Sequence, residues 1–206
     1  MIYLTIPLSS LHKKEIFNCG NQLLDDYLKR QAKQDVKRKL SACFIIEGEN
    51  NIVKGYYTLS SSSIHRSILP DVIIKKMPPS YTDLPVTLLG RLAVDSSYKG
   101  QRLGELLLID ALKRSYNASI ESVGSMAVIV DPIDDRAVAF YAKYDFILLP
   151  DSGKMFYQSP FLMQGYLQDD GQVQAPGRSV RSRPWGRRCP PLAARRSHRE
   201  TRARSS

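Results

Sequence analysis

The chain is poor in the residues that build metal centres and covalent frameworks. It has three cysteines among 206 residues, Cys19, Cys43 and Cys189, and none pairs in a CxxC spacing. An odd, sparse set argues against a disulfide framework or a zinc site and makes a reducing cytoplasm the default. The three histidines, His12, His65 and His198, stand in no catalytic or metal-ligating pattern. No apolar run reaches the ~18 residues of a membrane span. The opening MIYLTIPLSSLHKKEIF has no basic stretch ahead of an apolar one, so no signal peptide is expected. Two common phosphate signatures are also missing. There is no GxxxxGK[ST] loop for a nucleoside triphosphate, and no GxGxxG after the first strand of a βαβ repeat.

Acidic residues are scarce in one region only. The net charge is +10, yet residues 171–206 carry ten arginines against one acid, Glu200. The rest of the chain is therefore almost neutral, and its partners must be argued from local patches. The segment QDDGQVQAPGRSVRSRPWGRRCPPLAARRSHRETRARSS has no apolar periodicity and is rich in Pro, Gly, Ser and Arg. It cannot bury enough apolar surface to offset its ordering entropy. We expect a folded domain over 1–165 and a disordered Arg-rich tail over 166–206, either a solvated extension or a nucleic-acid arm.

The 43% hydrophobic content suffices for a core. Ile2–Ile6 reads as an edge strand. NQLLDDYLKRQAKQDVKRKL, from Asn21, reads as a helix with Leu23, Leu24, Tyr27, Leu28 and Gln31 on one face and Lys29, Lys33 and Lys37 on another. ACFIIEG and NIVKGYYTLS are strands around the turn ENN, LPDVIIKKMP is a short helix, and PVTLLGRLAVD is a strand. Gln101 to Tyr116 is a helix with Leu103, Leu106, Leu107 and Ala111 inward. GSMAVIVDP is apolar throughout, as a strand buried on both faces would be. DDRAVAFYAKY is a helix with acids at its N-terminus, as the helix dipole favours. DFILLP and GKMFYQ are closing strands. This mixed order gives an α+β fold around one sheet.

The stretch RLAVDSSYKGQRLGELLL is a strand, a two-glycine loop and a helix, an arrangement that binds phosphate through helix N-terminal amides. It resembles the [Q/R]xxGxG/A loop of the GNAT acetyltransferases, with Lys99 at the Gln/Arg position, Arg102 where the first motif glycine usually stands, and Gly104 as the second. DDRAVAFYAKYDF resembles that family's N-x-x-A-x-x-F-Y-x-K-x-G-F element, with Asp134 for the usual Asn and Asp145 for the usual Gly. FNCGNQLLDDYLKRQAKQD, ACFII, GYYTLSSSSI and LLGRLAVD resemble, in order, the GNAT toxins of bacterial toxin–antitoxin modules, from about Phe17 to Tyr157.

The resemblance implies a GNAT fold, with a mixed, mostly antiparallel sheet flanked by helices and a splayed strand pair that admits coenzyme A. It implies acetyl-CoA as co-substrate and no metal. Leu92, Ala93 and Val94 would offer strand amides to the pantetheine and acetyl carbonyl. Lys99, Gly100, Gln101, Arg102, Leu103 and Gly104 would hold the pyrophosphate, and Asp134 would meet the pantetheine arm. Tyr141 would be the general acid that protonates the departing thiolate, since a phenol with a pKa near ~10 is protonated at neutral pH. The acceptor would be the α-amine of aminoacyl-tRNA, with Lys29, Lys33, Lys37 and Arg91 as cationic contacts. A homodimer and a ribbon-helix-helix antitoxin, through which operator DNA is bound, would be partners in a bacterial cytoplasm. Two alternatives share the loop and Tyr141: an acetyltransferase for protein or small-molecule amines, and a degenerate binding module in which Arg102 and Asp134 have cost the domain its catalysis.

Overall fold

The computed structural model describes residues 4–149 and 152–158. The tail expected over 166–206 and its boundary at 165 lie outside the described residues. A single seven-stranded sheet runs in the order β1-β2-β3-β4-β5-β7-β6. Its strands are β1 (Ile6–Pro7), β2 (Ala42–Glu47), β3 (Val53–His65), β4 (Asp83–Val94), β5 (Val128–Val130), β6 (Ile147–Leu148) and β7 (Met155–Tyr157). All neighbours pair antiparallel except β4 and β5, which are parallel. The helices are α1 (Gln22–Asp26), α2 (Ala32–Arg38), α3 (Asp71–Ile74), α4 (Leu103–Glu121) and α5 (Asp135–Ala142).

Burial explains the placement of each layer. Ile129 and Val130 on β5 are almost fully enclosed, as an apolar run in a parallel pair requires. One face of the sheet packs on α4 and α5 through Leu89, Leu107, Leu108, Ala111 and Tyr141. The other packs on α1 and α2 through Leu28, Ala32, Ile45 and Tyr56. Each such large apolar side chain contributes about 1.5–3 kcal/mol when buried. A third cluster under α3 joins Ile73, Met77, Leu84 and Ile129. A buried carboxylate fixes the N-terminal segment to α4. Asp110 accepts from the Leu4 amide at 2.9 Å, from the Thr5 hydroxyl at 2.5 Å and from the Tyr57 hydroxyl at 2.7 Å.

Two expectations about helix faces are corrected. Between α1 and α2 the chain makes a π-turn, Tyr27–Gln31, in which the Ala32 amide bonds Tyr27 O. The inserted residue shifts the helical phase. Gln31 is therefore exposed and Ala32 buried after Leu28, while Leu23, ahead of the turn, is 79% exposed. It also breaks the expected Lys29–Lys33–Lys37 stripe: Lys29 lies half-buried in the π-turn, whereas Lys33 and Lys37 stand exposed on α2. On α4 the inward residues are Leu107, Leu108 and Ala111, and Leu106 faces out at 41% exposure.

Candidate active site

The site is built where β4 leaves β5. The parallel register pairs Thr87 with Val128 and Leu88 with Ile129, and then stops. Among the described residues, β4 runs on to Val94 with β3 on one edge only. At the same place β4 carries a bulge: Thr58 faces Arg91 and Leu59 faces Leu89, leaving Gly90 as the extra residue. A bulge reverses the alternation of a strand. The Thr87 amide donates to Ala127 O on the β5 side, but the Asp95 amide donates to Lys54 O on the β3 side. Without the bulge, two residues eight apart would point the same way. After it, alternation turns the Leu92 and Val94 amides into the slot between β4 and β5. Ala93 is turned the other way, its side chain buried on the α1 face and its amide toward β3, which corrects the expectation for that residue. Sequence reasoning missed the bulge. Its signal was present, because a glycine inside an otherwise apolar strand marks a bulge or a close approach.

Beyond β4 the chain turns through Ser96–Tyr98 and enters α4. Gly100 is left-handed at φ +82° and Arg102 at φ +58°. The first amides of α4 have no intrahelical partner, and among the described residues no side chain caps them. They face an open cleft lined by Lys99, Gly100, Arg102, Leu103, Gly104 and Phe140. Such an end binds phosphate. A Cβ on Gly104 would meet Phe140 and Val94 only at 3.9 Å, so protein packing does not demand glycine there; the space above it is what the cleft offers a ligand.

The charged side chains of this loop are engaged elsewhere. Lys99 Nζ donates to Cys19 O at 2.9 Å. The Arg102 guanidinium grips Glu105, one turn on, at 2.7 and 2.9 Å, so its charge is matched inside the protein and not presented to a phosphate. Gln101 is exposed and stands outside the cleft lining. Arg102 thus sits in a backbone conformation that favours glycine, with only a solvated ion pair in return. Arg102→Gly is expected to raise the melting temperature by about 2–4 °C in calorimetry; a fall would mean that the pair with Glu105 outweighs the strain. At the second departure, Asp145 adopts φ +63°, which aspartate accepts better than most residues. Asp134 caps α5, its Oδ1 accepting the Ala137 amide at 2.7 Å. It is a helix cap, not a group reaching into the slot.

Tyr141 lies on α5 at 8% exposure, its ring against Phe140 and Phe146 at 5.2 Å each. Among the described residues no group bonds its hydroxyl, yet that oxygen is not sealed from solvent. Burial pushes its pKa above the ordinary phenol value. The phenol is thus protonated at neutral pH, with no bonded partner among the described residues. Neither described thiol offers a nucleophile. Burial raises Cys19 to about 11, with Asp25 adding to the effect, and raises Cys43 to about 12. Among the described residues no His, Cys, Asp and Glu cluster could hold a metal, and no helix is long and apolar enough to cross a membrane.

The β4–β5 ladder that stops at Leu88–Ile129, the bulge just beyond it, the uncapped start of α4 and a buried phenol with no bonded partner among the described residues are the features that the family resemblance expects around acetyl-CoA. The comparisons agree. The model of the acetyltransferase (GNAT) family matches residues 14–146. A tRNA-acetylating toxin of Mycobacterium tuberculosis (strain ATCC 25618 / H37Rv) is 37% identical over 134 residues, 65% of this chain and 78% of the relative. AtaT complexed with acetyl-methionyl-tRNAfMet is 27% identical with a TM-score of 0.71, covering 79% of this chain and 98% of that one. AtaTR bound with AcCoA is 27% identical with a TM-score of 0.67, covering 79% and 96%. The chain belongs to the acetyltransferase (GNAT) family.

Proposed function

We propose that the protein is a toxin that moves the acetyl group of acetyl-CoA to the α-amine of an aminoacyl-tRNA and so blocks translation. The observation that carries this is the end of the β4–β5 pairing, with Tyr141 packed in the same cluster as Leu92 and Val94, in a chain related to a tRNA-acetylating toxin. Acetyl-CoA fits the residues present: the free edge of β4 and the uncapped start of α4 are donors awaiting acceptors. When bound, it supplies an activated acyl group with a thiolate as leaving group. Leu92 and Val94 offer amides along its arm, and the amides of Leu103 and Gly104 face its phosphates. The incoming amine must be neutral, and Tyr141 returns a proton to the thiolate. Lys33 and Lys37 on the exposed side of α2, with Lys29 and Arg91 nearer the sheet, supply cationic contacts for the tRNA. A ribbon-helix-helix antitoxin that links the toxin to operator DNA, a homodimer and a cytoplasmic setting belong to the same reading.

Transfer of labelled acetyl from acetyl-CoA to bulk charged tRNA tests it. Label on the aminoacyl end is the expected result; no label on any charged tRNA, with acetyl-CoA still bound, overturns it. The pH dependence has a definite sign. An α-amine titrates near ~8, so its neutral fraction and kcat/KM rise through that value. Burial raises the Tyr141 pKa, so the acid form persists past the usual ~10. Initial rates between pH 6 and 9.5 should climb and then level; a descending limb in that window removes Tyr141 as the acid.

A further inference from the structure

Among the described residues, the Arg91 guanidinium meets an aromatic ring and no anion. Arg91 follows the bulge directly, three residues beyond the last β4–β5 pair, and lies on the α1 face of the sheet. Its guanidinium stacks on the Tyr27 ring, 3.5 Å from the centroid. It is half-buried, and among the described residues no carboxylate or carbonyl bonds it. A guanidinium carries five donors, and withdrawing it from water without acceptors is costly. Arg102 and Arg114, by contrast, both face carboxylates.

The support beneath Arg91 is rigid. Tyr27 is 3% exposed and stacks on Tyr56 at 6.3 Å, and Tyr56 meets Phe17 edge-on at 5.5 Å. The π-turn delivers Tyr27 to this place. It is pinned by Lys14 Nζ donating to Lys29 O at 2.6 Å, and the end of α1 is pinned by the Tyr56 hydroxyl donating to Leu24 O at 2.8 Å. A flat guanidinium held on a ring keeps its edge free for bidentate bonding to an oxyanion.

Resting on the aminoacyl-tRNA reading, we infer that Arg91, positioned by Tyr27, binds the phosphate of the terminal nucleotide that carries the reactive amine. In such an acceptor the amino-acid carboxylate is an ester, so the nearest anion to the amine is that phosphate. Arg91 would thus separate amines borne on a nucleotide from free amino acids and lysine side chains. Tyr27 acts through Arg91 and does not touch substrate.

The test compares two acceptors that differ only in one phosphate, 3′-O-aminoacyl-adenosine and its 5′-monophosphate, beside charged tRNA. The unaltered protein should favour the monophosphate by about 10–100-fold in kcat/KM, mostly through KM, as a charge-assisted bidentate contact implies. Arg91→Ala should erase that preference, its loss falling far more heavily on the monophosphate than on the adenosine acceptor. Tyr27→Phe, which keeps the ring, should retain the preference, and Tyr27→Leu should weaken it. Equal loss on both acceptors in Arg91→Ala, absence of any preference in the unaltered protein, or acetylation of charged tRNA with neither small acceptor used would each overturn the inference. Failure of the unaltered protein to acetylate charged tRNA at all would instead sink the parent reading.

Discussion

Tyr141→Phe should lower kcat by about 10²–10⁴-fold, the usual worth of a positioned general acid, while acetyl-CoA binding and melting temperature change little. The substitution keeps the ring between Phe140 and Phe146, and the hydroxyl it removes bonds no described group. Ordinarily, deleting a buried hydroxyl leaves a partner unsatisfied; here it leaves none. Single-turnover rates with saturating acetyl-CoA, read beside calorimetry, separate chemistry from folding. A loss of stability matching the loss of rate would return Tyr141 to the core as a packing residue. Retention of most of the rate would assign the proton to water.

Enlarging Gly104 should produce the second large effect, through binding. Gly104 stands in the first turn of α4, under the cleft, and a methyl there touches Phe140 and Val94 only at ordinary contact distance. Alanine also suits a helix better than glycine by up to about 1 kcal/mol. Gly104→Ala should therefore fold at least as stably as the parent and yet bind acetyl-CoA about 10–100-fold more weakly, because the methyl fills the space through which phosphate reaches the helix amides. Gly104→Val should deepen the loss. Titration calorimetry with acetyl-CoA, paired with thermal denaturation, reads both sides. Unchanged affinity in Gly104→Ala would mean that the phosphates lie elsewhere along the cleft.

The element order was legible in the residues because periodicity and turn chemistry are local. The Gly100–Gly104 loop, the buried run of β5 and the capped start of α5 stand where the sequence puts them. The helix after Asn21 misled for an equally physical reason. A π-turn carries no periodic signature of its own, and it appears when tertiary contacts claim Tyr27 against Tyr56 and Arg91 and take Lys29 O for Lys14.

By itself the sequence determined the α+β class and the two-glycine loop at the head of α4, because a short motif carries its own backbone geometry; Tyr141 as donor is what the family resemblance put forward. Only the tertiary structure decided which way the β4 amides turn beyond the bulge, that Lys99 is bonded within the protein, and that Arg91 has no bonded anion among the described residues. The outcomes for Lys99 and Arg91 depend on residues far along the chain or on the opposite strand, Cys19 80 residues from Lys99 and Thr58 across from Arg91. The one-residue bulge at Gly90 reverses every later side chain and amide on β4. Strand pairing, and not composition, thereby set the direction in which each residue of β4 beyond Gly90 points.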